Sequence, residues 1–182
     1  YIDKTGKIAI EPKYDMAYSF TDGLALVSEG GREGFIDTDG NYVIKLTDKV
    51  DYASFSDGYA LIRKGNKWGF IDKKGNIVIK PAFYGAADFK EGFASIMEKV
   101  GDKYLSGYIN KKGKMITKAI YEEVDDFQEG MACVKKNGKY GFINKKGKLV
   151  VNAIYDNAFS YENGLAYVAK GSNAYFIDRD RE

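Results

Sequence analysis

One phrase returns along this chain at a nearly constant interval, and a chain built that way has to stack equivalent units rather than fold around a single irregular core. The phrase is an aromatic residue, then Ile, then Asp or Asn. Its isoleucines are Ile2, Ile36, Ile71, Ile109, Ile143 and Ile177, spaced by 34, 35, 38, 34 and 34 residues. Two further markers keep step. A turn glycine follows at Gly6, Gly40, Gly75, Gly113 and Gly147, and an acidic- or Asn-Gly pair at Asp22-Gly23, Asp57-Gly58, Glu91-Gly92, Glu129-Gly130 and Asn163-Gly164. Three independent markers sharing one period leave little room for chance.

Each unit contains three short runs rich in β-branched and aromatic residues, too short for stable helices. Strand a is Gly34-Phe35-Ile36 and its copies. Strand b is Ile8-Ala9-Ile10, Tyr42-Val43-Ile44, Ile77-Val78-Ile79, Met115-Ile116-Thr117 and Leu149-Val150-Val151. Strand c carries Ala at its second position in every copy: Ala25, Ala60, Ala94, Ala132 and Ala166. The a-to-b turn, Asp72-Lys73-Lys74-Gly75 and its copies, reads as a type I turn followed by a glycine bulge. The c-to-a connection reads as a tight hairpin at Asn137-Gly138, Gly65-Asn66 and Gly30-Gly31.

The b-to-c segment is longer and carries apolar residues three apart, such as Phe83, Ala86 and Phe89 or Tyr155, Ala158 and Tyr161, which predicts a 3₁₀ turn or a tucked irregular segment. In the second copy Lys49 stands where the first aromatic is expected. Three strands per unit would invert the direction of successive units, so the b-to-c segment is expected to run back along the sheet. About eleven residues span up to roughly 35 Å, which suffices.

Composition agrees with short strands and tight turns. There are 15 Tyr, 11 Phe and 21 Gly but 2 Pro in 182 residues. A net charge of +2 gives nucleic-acid binding no support. The absence of His and the single cysteine, Cys133, exclude His-based nucleophile pairs, an intramolecular disulfide and a cysteine zinc site. Cys133 lies in an apolar run and reads as a small core residue. No apolar run approaches the ~20 residues of a membrane-spanning helix. The chain starts mid-repeat at Tyr1-Ile2-Asp3, which suits a segment of a longer protein. Compartment is left open, with the cell surface or secretion slightly favoured over the cytoplasm.

At Lys67-Trp68-Gly69-Phe70-Ile71-Asp72-Lys73-Lys74-Gly75 the chain resembles the WG-repeat (KWG-repeat) family of mostly bacterial proteins. Phrases at 137–144 and at Phe20-Thr21-Asp22-Gly23-Leu24-Ala25 match the same pattern, and the resemblance covers the chain in five copies. It implies an interaction or surface module with no single catalytic activity. The name-giving position holds Glu33, Trp68, Ser106, Tyr140 and Ala174, which speaks against an indole-specific role shared by all repeats.

The expected fold is therefore all-β: a tandem array of five antiparallel three-stranded units of about 35 residues, with an open superhelical, solenoid-like array favoured over a closed propeller. Units fall at 1–33, 34–68, 69–106, 107–140 and 141–174, with a part-repeat at 175–182, in one array. Stacked in register, the lysine-rich a-to-b turns would form a basic rim and the b-to-c loops an acidic one. Asp37-Thr38-Asp39-Gly40-Asn41 has the look of a calcium loop, but lysines at the matching positions favour a plain turn. Glu122-Glu123 and Asp125-Asp126 read as a solvated surface rather than glycosidase carboxylates. No catalytic, cofactor or metal residue is assigned and no cofactor is expected. The expected function is a non-enzymatic, protein-binding β-repeat scaffold. The alternative is a glycan or cell-envelope binding module using periodic aromatics. Candidate binding residues are Trp68, Tyr140, Tyr18, Tyr52 and Tyr84, with tyrosine suited to either role by its apolar ring and polar tip. The partner is a protein, or else a glycan or cell-wall polymer, with neither nucleic acid nor a membrane span expected.

Overall fold

The computed structural model describes residues 1–46 and 54–179, and all regular structure in them is β. No helix in them is long and apolar enough to cross a membrane. The strands form five antiparallel sheets, each in sequential order, and none closes into a barrel. Sheet I holds β1 (Met16–Ala17), β2 (Ala25–Glu29), β3 (Arg32–Ile36) and β4 (Tyr42–Lys45). Sheet II holds β5 (Phe55–Ser56), β6 (Tyr59–Lys64), β7 (Lys67–Asp72) and β8 (Ile77–Phe83). Sheet III holds β9 (Gly85–Ala86), β10 (Phe93–Val100), β11 (Lys103–Asn110) and β12 (Met115–Tyr121). Sheet IV holds β13 (Glu123–Val124), β14 (Met131–Lys136), β15 (Lys139–Asn144) and β16 (Leu149–Tyr155). Sheet V holds β17 (Asn157–Ala158), β18 (Leu165–Lys170) and β19 (Asn173–Asp178). The chain divides into two compact units, 1–81 and 82–182.

The expected strands a, b and c are present, and the a-to-b turn is as read. Asp72 Oδ1 accepts the N–H groups of Lys74 and Asn76, both at 2.9 Å, and Gly75 has φ 83°. The b-to-c segment differs from expectation. No 3₁₀ turn occurs in it among the described residues. Instead it supplies a two-residue strand (β1, β9, β13, β17) that pairs with the following strand c, as Glu123↔Lys135 and Val124↔Val134 do. The matching segment of the second copy, with Lys49 and Tyr52, lies at 47–53, outside the described residues.

This fourth strand also resolves the direction problem without a return along the sheet. An even number of antiparallel strands brings the chain back to the end at which it entered, and one residue (Tyr84, Glu122 or Asp156) then links strand b to the next sheet. It follows that a sheet is not a sequence repeat. Each takes its short strand and strand c from one copy and strands a and b from the next.

The glycine beside the name-giving position has a steric cause. Between strands a and b the register slips, and the backbone of b crosses over that glycine. A Cβ on Gly34 would lie 2.6 Å from the Ile44 carbonyl oxygen, on Gly107 2.7 Å from that of Lys118, and on Gly141 2.5 Å from that of Val151. Backbone cannot yield as a flexible side chain can. In sheet V no strand b is described beside β19, and the position holds Tyr175.

Within each compact unit the core lies between consecutive sheets. The strand-a aromatic of one sheet meets the loop aromatic of the next: Tyr1 with Phe20 at 4.7 Å between ring centroids, Phe35 with Phe55 at 4.9 Å, Tyr108 with Phe127 at 5.1 Å and Phe142 with Tyr161 at 5.0 Å. Around each ring pair cluster the strand-c alanine and the strand-a isoleucine of the later sheet, for example Ala132 and Ile143. Such a ring pair contributes about 0.5–1.5 kcal/mol beyond the area it buries.

The expected separation of charge into two rims is not found. In a four-stranded meander the loop before strand c and the a-to-b turn share one end of the sheet, so acids and bases meet there. Asp22 Oδ2 accepts the Gly58 N–H at 2.6 Å. Glu91 accepts the N–H groups of Glu129 (2.8 Å) and Gly130 (2.9 Å), and Glu129 in turn accepts those of Asn163 (2.7 Å) and Gly164 (2.9 Å). Lys145 pairs with Glu91 at 3.1 Å, Arg179 pairs with Glu129, and Lys73 donates to the Asp22 carbonyl. At the opposite end, linking carboxylates hold the c-to-a hairpins. Asp15 accepts the Gly30 N–H at 2.7 Å, Glu122 that of Gly138 at 3.0 Å and Asp156 that of Gly171 at 2.7 Å.

Two predictions follow from these contacts. Gly141→Ala should lower unfolding free energy by about 1–3 kcal/mol, as overpacking does, while Tyr175→Ala costs less, with urea denaturation as the measurement. The second concerns pH. The Gly164 N–H, then Arg179, hold the Glu129 carboxyl below its usual range, and Lys139, then the Gly171 N–H, do the same for Asp156. Burial pushes Glu91 up, but the Gly130 N–H and Lys145 outweigh it and the net direction is down. With folded values below unfolded ones, the unfolded chain takes up protons first as pH falls. The stabilisation is complete at neutral pH and is lost as pH drops through about 4. Burial moves Asp88 and Asp126 the other way, so their charging opposes folding as pH rises. Glu129→Gln should therefore lower the urea midpoint at pH 7 and flatten its loss in acid, and Asp88→Asn should raise the pH 7 midpoint.

Candidate binding surface

The name-giving residues lie toward the c-to-a hairpin ends of the sheets. Strand alternation there sets the name-giving residue of strand a opposite the fifth residue of strand c. In sheet II Trp68 pairs with Arg63, whose guanidinium sits 5.6 Å from the indole. In sheet IV Tyr140 pairs with Lys135, whose ammonium lies 5.0 Å from the ring. The Tyr140 hydroxyl donates to Glu123 at 2.6 Å, and Lys135 binds the same carboxylate at 2.6 Å. Lys135, then Tyr140, hold Glu123 below the usual carboxylate range, and Glu123 raises the Tyr140 hydroxyl. This row is thus already satisfied within sheet IV. In sheet I the position holds Glu33, whose Oε2 is buried with no hydrogen bond among the described residues.

Sheet III departs from its neighbours. Its corresponding row is Gly85, Met97 and Ser106, and Ser95 stands two residues earlier on strand c. Small residues where others place an indole or a phenol leave a cavity of about 530 Å³, lined by Gly85, Ala86, Ser95, Met97, Ser106 and Val124 and rimmed by Glu122, Glu123 and Asp125. The hairpin above it is longer, with eight residues in each strand against six in sheets IV and V. At the position where a linking carboxylate clamps the hairpin elsewhere, sheet III has Tyr84. Its ring packs edge-on against Tyr104 at 5.3 Å, and the two are 42% and 52% exposed. Met97 and Val100 are exposed beside them.

The candidate residues do not form one row. Trp68 and Tyr140 share a register in different sheets. Tyr84 is a linking residue. Tyr18 lies in the loop after β1, exposed, its carbonyl accepting the Tyr1 hydroxyl at 2.8 Å. Tyr52 falls outside the described residues. The aromatics that recur in register, including Phe55, Phe83, Phe89, Tyr121, Phe127, Tyr155 and Tyr161, are buried and form the core. Sequence reading passes over Tyr104, Met97 and the Ser106 cavity. The available signal is the joint shrinkage of Gly85, Ser95 and Ser106 relative to their copies.

The other chemical candidates have structural partners. Asp37 closes its own turn by accepting the N–H groups of Asp39 and Asn41. Asp125 accepts the Ser160 hydroxyl at 3.1 Å. Among the described residues no three His, Cys, Asp or Glu side chains are grouped to hold a metal ion. Cys133 is buried, and burial pushes its thiol up to about 12, far from a reactive thiolate.

Five tandem matches to the family described as WG containing repeat cover residues 1–32, 34–68, 68–104, 107–140 and 140–173. The chain belongs to the WG-repeat family. No curated protein matches it. Among solved structures it is similar to Hsv2p of Kluyveromyces lactis, at 12% identity and a TM-score of 0.55, over 92% of this chain and 62% of that one. It thus spans less than two thirds of that relative, and the likeness is one of fold. A protein of unknown function from Bacteroides caccae matches at 15% identity and a TM-score of 0.37, over 93% of this chain and 80% of that one. Within the WG pattern, the structural requirement falls on the glycine, whereas the tryptophan position tolerates Glu33, Ser106 and Ala174.

If the Ser106 cavity is open space, Ser106→Tyr should be accommodated, changing unfolding free energy by less than about 1 kcal/mol. Cys133→Tyr, in the filled interface between sheets IV and V, should cost about 1–3 kcal/mol. Thermal and urea unfolding of the two variants compare them directly.

Proposed function

We propose that this WG-repeat chain is a non-enzymatic interaction module that binds a protein partner at the hairpin end of sheet III. The observation that carries the reading is the exposed Tyr84–Tyr104 pair beside the Ser106 cavity, in a sheet whose row lacks the indole and phenol that its neighbours, sheets II and IV, place there. Exposed aromatic anchors next to a pocket that can receive a side chain are the usual centre of a protein interface. The glutamates and aspartate on the rim favour a partner that presents a basic or aromatic side chain.

Glycan binding is the second reading, and Trp68 with Arg63 is its best observation. A polymer of repeating sugars favours a periodic platform, however, and the periodic aromatics of this chain are in the core.

The test is retention of the immobilised chain's ligands from cell lysate and from purified cell-wall polysaccharide in parallel. The expected result is a specific protein retained by the parent chain, released by Tyr84→Ser/Tyr104→Ser and unaffected by Trp68→Ala. Polysaccharide retention that Trp68→Ala abolishes, with the tyrosine variant unaffected, would replace this reading by the glycan one.

A further inference from the structure

The a-to-b turns of sheets III and IV close like those of sheets I and II but carry a different charge. In sheets I and II an aspartate closes the turn. Asp37 Oδ1 accepts the N–H groups of Asp39 (3.0 Å) and Asn41 (2.9 Å), and Asp72 Oδ1 those of Lys74 and Asn76. The second carboxylate oxygen holds the side chain of the last residue, Asn41 at 3.3 Å and Asn76 at 3.0 Å. In sheet III Asn110 Oδ1 accepts the N–H groups of Lys112 (3.0 Å) and Lys114 (3.1 Å), and in sheet IV Asn144 Oδ1 those of Lys146 (2.9 Å) and Lys148 (3.2 Å). The negative charge is gone, and a lysine stands where the tethered asparagine stood. Formal charge over the turn goes from −2 in sheet I (Asp37, Asp39) and +1 in sheet II (Asp72, Lys73, Lys74) to +3 in sheet III (Lys111, Lys112, Lys114) and +3 in sheet IV (Lys145, Lys146, Lys148). A carboxylate is the stronger acceptor for such N–H groups, so the exchange for Asn gains the turn nothing.

The two basic turns are neighbours. A Cβ on Gly147 would strike the Ile116 carbonyl and come within 3.0 Å of Thr117 Cγ2, so the sheet IV turn lies against strand b of sheet III just past Lys114. The acids of this end are already engaged. Glu91 takes Lys145 at 3.1 Å in addition to its two N–H groups, and Glu129 takes Arg179. Asp88 and Asp126 have Lys90 as their neighbouring cation. Lys112, Lys114, Lys146 and Lys148 are exposed and make no ion pair among the described residues. Neither turn carries an exposed large apolar residue or any aromatic one.

We propose that the adjoining turns of sheets III and IV bind an extended polymer of phosphate groups. Lysine presents a compact point charge on a flexible stem, not the planar fork that grips one phosphate bidentately. Four lysines on two adjoining turns therefore suit a row of phosphates better than a single one, and linked contacts reinforce one another. A membrane surface would call for an apolar anchor beside such charges, and single-stranded nucleic acid for an aromatic stacking platform. These turns have neither. The surface lies at the other end of β10 and β11 from the Tyr84–Tyr104 pair, so it does not rest on the reading of that hairpin end.

Titration calorimetry of the 182-residue chain with inorganic polyphosphate and with poly(glycerol phosphate), against orthophosphate, tests the proposal. A polymer should bind and orthophosphate should not, and the tighter of the two polymers names the source. With four lysine contacts, affinity should be roughly 50-fold weaker at 200 mM than at 50 mM salt. Asn110→Asp/Asn144→Asp should weaken it about tenfold at the lower salt. Circular dichroism should be unchanged, because Asp72 closes the same turn with the same bonds. Lys114→Asn/Lys148→Asn should reduce the salt slope by about two. Tyr84→Ser/Tyr104→Ser should leave polymer binding as it is. Failure of both polymers to bind at the lower salt overturns the proposal, and so does binding that the aspartate variant leaves intact. Tighter retention on vesicles of anionic phospholipid or on single-stranded DNA than on either polymer overturns it in favour of a membrane or a nucleic acid.

Discussion

The fold depends on a mismatch between the unit of sequence and the unit of hydrogen bonding. A sequence repeat runs a, b, short strand, c, whereas a sheet runs short strand, c, a, b. Every complete sheet therefore needs two successive repeats, and no repeat can satisfy its own strand edges. Coupling of neighbours follows from covalent connectivity before any side chain is considered. Stability in such an array is set by nearest-neighbour interfaces as much as by the units themselves. The inter-sheet ring pairs and the carboxylate-to-amide contacts act across the same boundaries, so burial, polar satisfaction and chain path all join the same neighbours.

The carboxylate contacts explain a backbone choice that looks costly in isolation. Asp22, Glu91 and Glu129 occupy the left-handed region at φ 53°, 50° and 53°, where a non-glycine residue is disfavoured by roughly 1–2 kcal/mol. That conformation belongs to the two-residue turn with a following glycine. It leaves the two turn N–H groups turned outward together, and the carboxylate of the preceding repeat accepts both in the case of Glu91 and Glu129. The same residue is thus donor through its backbone and acceptor through its side chain. Within the first unit such a contact runs from Asp22 to Gly58, and within the second from Glu91 through Glu129 to Asn163, whose side chain is neutral.

Much of this fold is legible in sequence because its determinants are local. Period-two apolar runs and the Asp-x-x-Gly turn declare strands a, b and c within a few residues of each other. The two-residue strands are not legible. Two residues carry no periodicity, and Glu123-Val124 or Gly85-Ala86 becomes a strand only through its partner on the following strand c. The charge pattern misleads for a related reason: which turns share an end depends on the parity of the strand count, and one unseen strand reverses it. The glycine after the name-giving position is visible as a recurrence, but its cause is backbone of strand b passing overhead. In the candidate site, Trp68, Tyr140 and Tyr84 are visible as aromatics. The meaning of Ser106 and Tyr104 is not, because a cavity is a property of what several small residues fail to fill.

Recurrence in this chain consequently marks what the architecture needs and says little about what it binds. The glycine, the strand-a aromatic, the strand-c alanine and the turn acid return in most copies because each interface has the same geometry to satisfy. Departures from the pattern fall where a geometric requirement has lapsed or has been given up. Tyr175 stands at the glycine position of β19, beside which no strand b is described. Sheet III is different in kind. Its interior ring Tyr108 is as buried as its counterparts and its Asn110 turn closes in the same way, so no structural demand has been relaxed there. It nevertheless exchanges the linking carboxylate for Tyr84, lengthens the hairpin and empties the Ser106 row. Three coordinated changes on one surface, none required by the stacking, are the physical ground on which a binding surface is proposed at sheet III rather than along the recurring positions.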